Sequence, residues 1–198
     1  MLNGLLRMSV YDMFTVPIYH YKIENWDHNK KRILDVIPPE IPEHRDPEDL
    51  GLYSDYFVNA KVGNNILPSY ADTIIDIIKP YLMDMSGGEK LDLTDMWYQK
   101  YYKNISHGTH VHGAIGWSSV IYVEYDPNLH PPTRFYSPFR DIWSGDCTTF
   151  EEQVDEGDMV IFPSTIMHEA PPNMSDVRRT IISYNLRGKV DTSKRVIQ

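Results

Sequence analysis

The sequence predicts a mainly β protein in which helices come first and an all-β core follows. A pattern with helical period stops at Gly87-Gly88, and short segments rich in aromatic and β-branched residues then alternate with turn signals. Repeated short strands of this kind are typical of a sandwich or a barrel, and not of βαβ units. The predicted strand segments are LTDMWYQKYY, WSSVIYVEY, TRFY, TTFEEQV, DMVIFP and RRTIISYNLR.

Two helices are expected before this core. The first covers about Trp26–Val36 and ends in a proline-rich, charged stretch, residues 37–51, which is typical of an exposed loop. Pro68 suits an early position of the second helix, and Pro80 should kink or shorten its last turn. The second helix has one apolar face at helical spacing, formed by Ala71, Ile74, Ile75, Ile78 and Leu82.

Composition indicates a soluble, acidic, globular chain of 198 residues with a formal net charge of −9. This charge disfavours a broad surface that neutralises phosphates, so we expect no nucleic-acid partner. No run approaches the roughly 18 apolar residues that a membrane span requires, so no membrane partner is expected either. Cys147 is the single cysteine, which rules out an intrachain disulfide and favours a cytoplasmic location.

Three histidines form a candidate metal site. His110 and His112 lie two apart in an extended segment, so their side chains project from one face and can offer nitrogens to one ion about 2.1 Å away. A third ligand is expected from a neighbouring strand, and His168 follows the strand DMVIFP and the turn PST. Imidazole ligands suit iron, zinc, copper or nickel. We expect His107 to lie beside the metal or at the entrance.

Arg179 is a candidate anchor for an anion. Alternation along the last strand places Arg179, Ile181, Ser183 and Asn185 on one face. If this face lines the barrel interior, the buried guanidinium requires a carboxylate partner, which it can grip through two parallel hydrogen bonds. The other reading, which stays open at this point, is a strand-end arginine paired with a carboxylate of its own chain, Asp176 or Glu169.

This set of motifs resembles the Fe(II)- and 2-oxoglutarate-dependent oxygenases. An H-x-H pair opens a strand, a distant histidine follows a strand and a turn, and an arginine lies further along the next strand. More narrowly, MWYQKYYKNISHGTHVHGAIGWSSVIYVEY and GDMVIFPSTIMHEAPPNMSDVRRTIISYNL look like an uncharacterised bacterial and phage branch of that superfamily. The resemblance extends over about residues 12–188. It implies a double-stranded β-helix core of the jelly-roll or cupin-like kind, with N-terminal helices packed on it.

The resemblance implies one oxygenase-like domain over residues 1–198. Residues from about 12 to 92 would form an N-terminal helical support, and residues from about 93 to 188 the double-stranded β-helix. His110 and His168 would be iron ligands, with His112 at the position where most of the superfamily has a carboxylate.

The resemblance also implies a site for 2-oxoglutarate. Arg179 would hold its distal carboxylate, Tyr122 would donate a hydrogen bond to the same group, and Ser183 would line the pocket. One tyrosine of the YQKYYK segment is expected to contribute, and the sequence does not choose between Tyr101 and Tyr102.

Three functions are compatible with these residues. The first is an Fe(II)- and 2-oxoglutarate-dependent dioxygenase that hydroxylates an unidentified protein side chain or small metabolite. The second is a three-histidine dioxygenase that uses dioxygen without 2-oxoglutarate. The third is a non-catalytic metal-binding β-barrel in which the imidazoles hold zinc or no metal.

Overall fold

The computed structural model describes residues 15–45, 51–56, 58 and 67–188. Within these residues, no helix combines the length and the apolar character needed to cross a membrane. The elements in chain order are β1 Tyr19–Lys22, α1 Trp26–Val36, a 3-10 helix Pro42–His44, β2 Leu52–Tyr53, α2 Ala71–Met85, β3 Leu91–Tyr101, β4 His107–His110, β5 Trp117–Glu124, β6 Arg134–Arg140, β7 Cys147–Glu151, β8 Asp158–Pro163, β9 His168–Ala170 and β10 Arg179–Gly188.

The strands form two antiparallel sheets. The major sheet has the order β1-β8-β5-β10-β3-β2, and the minor sheet has the order β4-β9-β6-β7. Each of the six predicted segments overlaps one strand, namely β3, β5, β6, β7, β8 and β10. The predicted mainly β, double-stranded β-helix core with helices packed on it is therefore confirmed.

The N-terminal region contributes edge strands as well as helices. β1 pairs with β8 at one edge of the major sheet, and β2 pairs with β3 at the other. These strands have only four and two residues, which is too short for a periodic pattern to identify them in the sequence. Their extended form depends on partners that are distant in the chain.

The two helices cover the outer face of the major sheet. Ile33 of α1 and Ile74 and Ile78 of α2 are fully buried against strand residues such as Ile121 and Ile182. The apolar face of α2 was predicted correctly at positions 71, 74 and 78, while Ile77 is buried and positions 75 and 82 are only partly so.

Helix α2 begins later than predicted and is not shortened at Pro80. Pro68 precedes the helix, since its carbonyl accepts a bond from the Ala71 amide, and the helix continues through Pro80 to Met85. Burial of the α2 face against the sheet compensates for the hydrogen bond that Pro80 cannot donate. Gly87 and Gly88, with φ of 63° and 86°, end the helix as expected.

Truncation of the α2 contact should destabilise the whole fold. We expect Ile78→Ala to lower the free energy of unfolding by about 2–5 kcal/mol in urea denaturation, because Ile78 has no exposed surface. Met83→Ala on the same helix is the control, since Met83 is 56% exposed and its loss should cost within about 0.5 kcal/mol. Equal losses in the two variants would contradict this packing.

The inner face of the major sheet faces the minor sheet and encloses a second apolar cluster. Alternation along β5, β8 and β10 sends every second side chain into this space. Phe135 of β6 closes the cluster from the minor sheet. Its members from the major sheet include Val120, Tyr122, Val160, Phe162 and Ile181. The candidate site lies at the open end of the space between the two sheets.

Candidate metal centre

The structure brings the three predicted histidines together. His110 ends β4, His168 begins β9, and the two residues face each other in the register of these paired strands. His112 follows two residues after His110 and reaches the same point. The Nε2 atom of His112 lies 3.1 Å from Nε2 of His110 and 3.2 Å from Nε2 of His168. No other group of three ligand-type side chains comes together in this way in the described part of the chain.

The hydrogen bonds of the rings direct their lone pairs to a common point. Nδ1 of His110 donates to the Gly108 carbonyl at 2.7 Å, and Nδ1 of His168 donates to the Ile166 carbonyl at 2.9 Å. A neutral imidazole that donates from Nδ1 has its lone pair on Nε2. Since His112 Nε2 carries at most one proton, it can donate to one of these two neighbours only. At least one pair of nitrogens therefore faces lone pair to lone pair, an arrangement that a bound cation stabilises.

Protonation does not resolve this conflict at neutral pH. Burial, together with the nearby imidazoles, lowers the pKa of His112 to about 4 and that of His168 to about 3. Burial also lowers the pKa of His110. All three rings are therefore neutral at pH 7, which is the form that binds metal ions.

The spacing of the nitrogens fits a single ion. Three nitrogens about 2.1 Å from a metal are about 3.0 Å apart on one face of an octahedron and about 3.4 Å apart in a tetrahedron. The observed 3.1 and 3.2 Å lie within this range. Three facial ligands would leave up to three positions of an octahedral ion open.

Aromatic groups hold the imidazoles in place. Trp97 stacks on His112 with centroids 5.4 Å apart, and the Phe162 ring edge packs on His168 at 4.6 Å. His107 stacks on His110 at 4.1 Å and interacts with Gln99 at 3.2 Å, beside the three converging rings and outside their group.

Arg179 is buried against Tyr101, at the deep end of the space between the sheets, and has no carboxylate partner among the described residues. It is 2% exposed, and it donates to the carbonyls of Pro131 at 2.8 Å and Pro171 at 3.2 Å. Its Nε has no hydrogen-bond partner among the described residues. Asp176 and Glu169, the alternative partners, pair instead with Lys103 and Arg134. The strand-end ion pair is therefore wrong, and an unpaired buried cation remains.

The structure distinguishes the three candidate tyrosines. Tyr101 is fully buried, its ring lies 4.3 Å from the Arg179 guanidinium carbon, and its hydroxyl has no partner among the described residues. The Tyr122 hydroxyl is already used, because it donates to Thr133 Oγ1 at 3.0 Å and accepts from the Thr133 amide at 3.1 Å. Tyr102 is only partly buried and interacts with Arg178 and Glu40.

Two neighbouring cavities, which share several lining residues, adjoin the imidazoles. The inner one, of about 20 Å³, is lined by the three histidines, Tyr101 and Ser183. It has room for about one water molecule, so a larger ligand enters only when side chains move. The outer one, of about 550 Å³, opens towards the surface and is lined by two of the three histidines, His110 and His112.

Sequence reasoning expected one tyrosine of β3 at the site and missed the other inward residues of this strand. Its inward side chains are Asp95, Trp97, Gln99 and Tyr101, which face Asn185, Ser183, Ile181 and Arg179 of β10 in register. The period of two along β3 was a signal that could have separated Tyr101 from Tyr102, because only odd-numbered positions share a face with Trp97.

Comparison with known protein families gives one match. Residues 95–185 match the model of a family described as "Putative 2OG-Fe(II) oxygenase". The matched segment includes the three histidines and Arg179. No curated protein sequence matches this chain.

Solved structures of low sequence identity share the fold. An oxidoreductase of the 2OG-Fe(II) oxygenase family from Burkholderia pseudomallei has a TM-score of 0.58 at 15% identity, over 86% of this chain and 84% of its own. A prolyl-4-hydroxylase from Pseudomonas putida has a TM-score of 0.52 at 13% identity, over 88% and 94%. A viral collagen prolyl hydroxylase from Paramecium Bursaria Chlorella virus-1, in complex with 2OG, has a TM-score of 0.54 at 13% identity, over 86% and 96%. At these identities the similarity concerns the fold alone.

Proposed function

We propose that the protein hydroxylates a C–H bond of a protein side chain or small metabolite, because its core, residues 95–185, matches the model of a family described as "Putative 2OG-Fe(II) oxygenase". The resemblance recognised in the sequence is confirmed at the level of the superfamily. The protein is thus an oxidoreductase that uses Fe(II) and 2-oxoglutarate. The substrate and the roles of individual residues are the proposed part.

One observation carries the proposal. Three neutral imidazoles, whose Nε2 atoms converge with too few protons to pair them all, line the inner cavity together with Tyr101, and Tyr101 packs on the buried Arg179 guanidinium, which has no carboxylate counter-ion among the described residues. A divalent cation satisfies the first deficiency and a carboxylate satisfies the second. We therefore assign His110, His112 and His168 as the iron ligands, although a carboxylate is more usual at the position of His112.

The deep end of the space would hold the distal carboxylate of 2-oxoglutarate. Arg179 has an unpaired Nε, and the Tyr101 hydroxyl beside it is also unpaired, so both donors are available to one carboxylate. Ser183 lines the inner cavity between this end and the imidazoles. In place of the role expected for Tyr122, we propose that its bond to Thr133 fixes the wall of the pocket while Tyr101 supplies the hydroxyl.

Fe(II) and 2-oxoglutarate, when bound, activate dioxygen so that a substrate C–H bond becomes C–OH while 2-oxoglutarate is converted to succinate and carbon dioxide. The residues of the chain contribute placement. The Nδ1 hydrogen bonds of His110 and His168 fix their ring orientations, and stacking by Trp97 fixes His112. The apolar walls formed by Phe162 and Ile181 exclude water from the deep end.

We also propose that residues 1–198 form one domain, with about 12–92 as support and about 93–188 as the catalytic core. Helices α1 and α2 and strands β1 and β2 pack on or pair with the core strands. Separation of the two parts would expose the outer face of the major sheet.

Product analysis tests the function. Iron-loaded protein supplied with 2-oxoglutarate in air should form succinate in equal amount to the 2-oxoglutarate consumed, and should do so faster when a substrate is present. Oxygen consumption without succinate would favour the three-histidine dioxygenase that ignores 2-oxoglutarate. If neither oxygen nor 2-oxoglutarate is consumed with any candidate substrate, the non-catalytic metal-binding barrel would be favoured.

A further inference from the structure

We infer that the substrate is an organic cation, with an alkylammonium or guanidinium group a few bonds from the reacting carbon. This inference rests on the proposed function, since it concerns the substrate side of the same site. It comes from the outer cavity of about 550 Å³, whose described lining residues include the carboxylate of Asp95 and no lysine or arginine.

The two ends of the space have opposite charge preferences. Along β3 the inward residues run from Asp95 at the mouth through Trp97 and Gln99 to Tyr101, which pairs with Arg179 in the register. Six residues of strand separate the ends by about 20 Å. The deep end presents a cation and suits an anionic cosubstrate, whereas the mouth presents an anion and repels a second anionic molecule.

Asp95 is available to a ligand. It is exposed, and among the described residues its carboxylate accepts one bond, from the Thr94 hydroxyl at 2.8 Å, and has no basic partner. By contrast, Glu40, Glu124, Glu156 and Glu169 each pair with a lysine or arginine of the chain.

Aromatic rings flank the carboxylate and suit a cation with an apolar stem. Trp97 is buried with one face on His112, and Tyr56, which is 48% exposed, packs on Trp97 with centroids 5.4 Å apart. Aromatic faces attract alkylammonium and guanidinium groups, and their apolar surface packs on methylene chains.

The position of these groups sets the approximate length of the substrate. Trp97 touches His112, and Asp95 lies two residues further out on the same face of β3, about 7 Å along the strand. A substrate whose cation pairs with Asp95 would thus place a carbon several bonds away beside the imidazoles. Lysine-like and arginine-like side chains have this length.

Anaerobic binding tests the inference separately from turnover. The probes are N-acetyl-lysine N-methylamide, its neutral analogue from norleucine and its anionic analogue from glutamate, titrated by calorimetry into the full chain loaded with Fe(II) and 2-oxoglutarate under nitrogen. We expect the lysine probe to bind about tenfold more tightly than the norleucine probe, and the glutamate probe to bind most weakly. The preference should shrink as ionic strength rises.

Two variants localise the effect. Asp95→Asn should remove the preference for lysine over norleucine. Asp92→Asn should keep it, because Asp92 is an exposed carboxylate on the same strand that lies outside the cavity.

A pentapeptide Gly-Gly-Lys-Gly-Gly identifies the source of the cation. Tighter binding than the single amino-acid probe supports a protein side chain, and equal or weaker binding supports a free amine.

Any of three results would overturn the inference. The lysine and norleucine probes could bind with equal affinity, the Asp95→Asn variant could keep the preference for the lysine probe, or no probe could bind. Succinate formation from 2-oxoglutarate is measured in parallel on the same samples. If succinate forms and the lysine preference is absent, the substrate class is wrong and the proposed function stands. If the preference is present and no succinate forms, the cavity binds cations but the proposed function fails.

Discussion

Arg179→Ala is expected to weaken 2-oxoglutarate binding by about 100-fold or more while metal binding is retained. The variant would leave the distal carboxylate of the ligand in a buried space without its cation, which costs about 3–5 kcal/mol. Arg179 is 2% exposed, so water cannot replace it easily. The measurement is calorimetric titration of 2-oxoglutarate under nitrogen, with metal content determined on the same sample.

Arg178→Ala is the matched control for this variant. Arg178 precedes Arg179 and projects from the other face of the strand, where it pairs with Glu124 and Glu40. Its loss should leave 2-oxoglutarate affinity within about threefold of the unchanged protein, since it does not face the space between the sheets. Arg179→Lys should bind with intermediate affinity, because the charge remains and the two-pronged geometry does not. Unchanged affinity in Arg179→Ala would remove this residue from the cosubstrate site.

His168→Ala is expected to lower the affinity for Fe(II) by at least about 100-fold, because one of three neutral ligands is lost. His110→Ala and His112→Ala should have effects of the same size if all three rings bind the ion. Equilibrium dialysis against Fe(II) under nitrogen measures this effect. Thermal unfolding in the absence of metal shows whether each variant folds.

His28→Ala serves as the control for the histidine variants. His28 lies exposed on α1, on the far side of the major sheet from the three imidazoles, and its loss should not change metal affinity. Full affinity in His112→Ala would reduce the site to two histidines. Full affinity in His168→Ala would contradict the metal centre as a whole.

Several features of the site were predictable because they depend on local periodicity. Alternation in an extended chain places His110 and His112 on one face, and the same rule places Arg179 and Ser183 together on β10. The predicted strand DMVIFP and the turn that follows it indicated that His168 would lie close to His110 and His112. The neutrality of the rings, by contrast, follows from burial that the sequence does not report.

Other features could not be predicted because they depend on contacts between distant segments. Tyr122 does face the interior, as its place in the inner cluster shows, but its hydroxyl is taken by Thr133 from the segment before β6. The edge strands β1 and β2 are too short for pattern analysis and exist through their pairing with β8 and β3. Arg179 had two possible partners in the nearby sequence, and both pair with other residues in the folded chain.

The sequence by itself determined which chemical groups lie on a common strand face, because the two-residue repeat of an extended chain is a local property. It thereby determined that histidines and an arginine could face one interior. Only the tertiary structure decided that the three Nε2 atoms converge with too few protons to pair them all, and that the Arg179 Nε and the Tyr101 hydroxyl have no hydrogen-bond partner among the described residues. Hydrogen bonds form between strands and loops that are far apart in the chain. Polar groups without a partner can therefore be identified only in the folded structure, where every competing contact has formed.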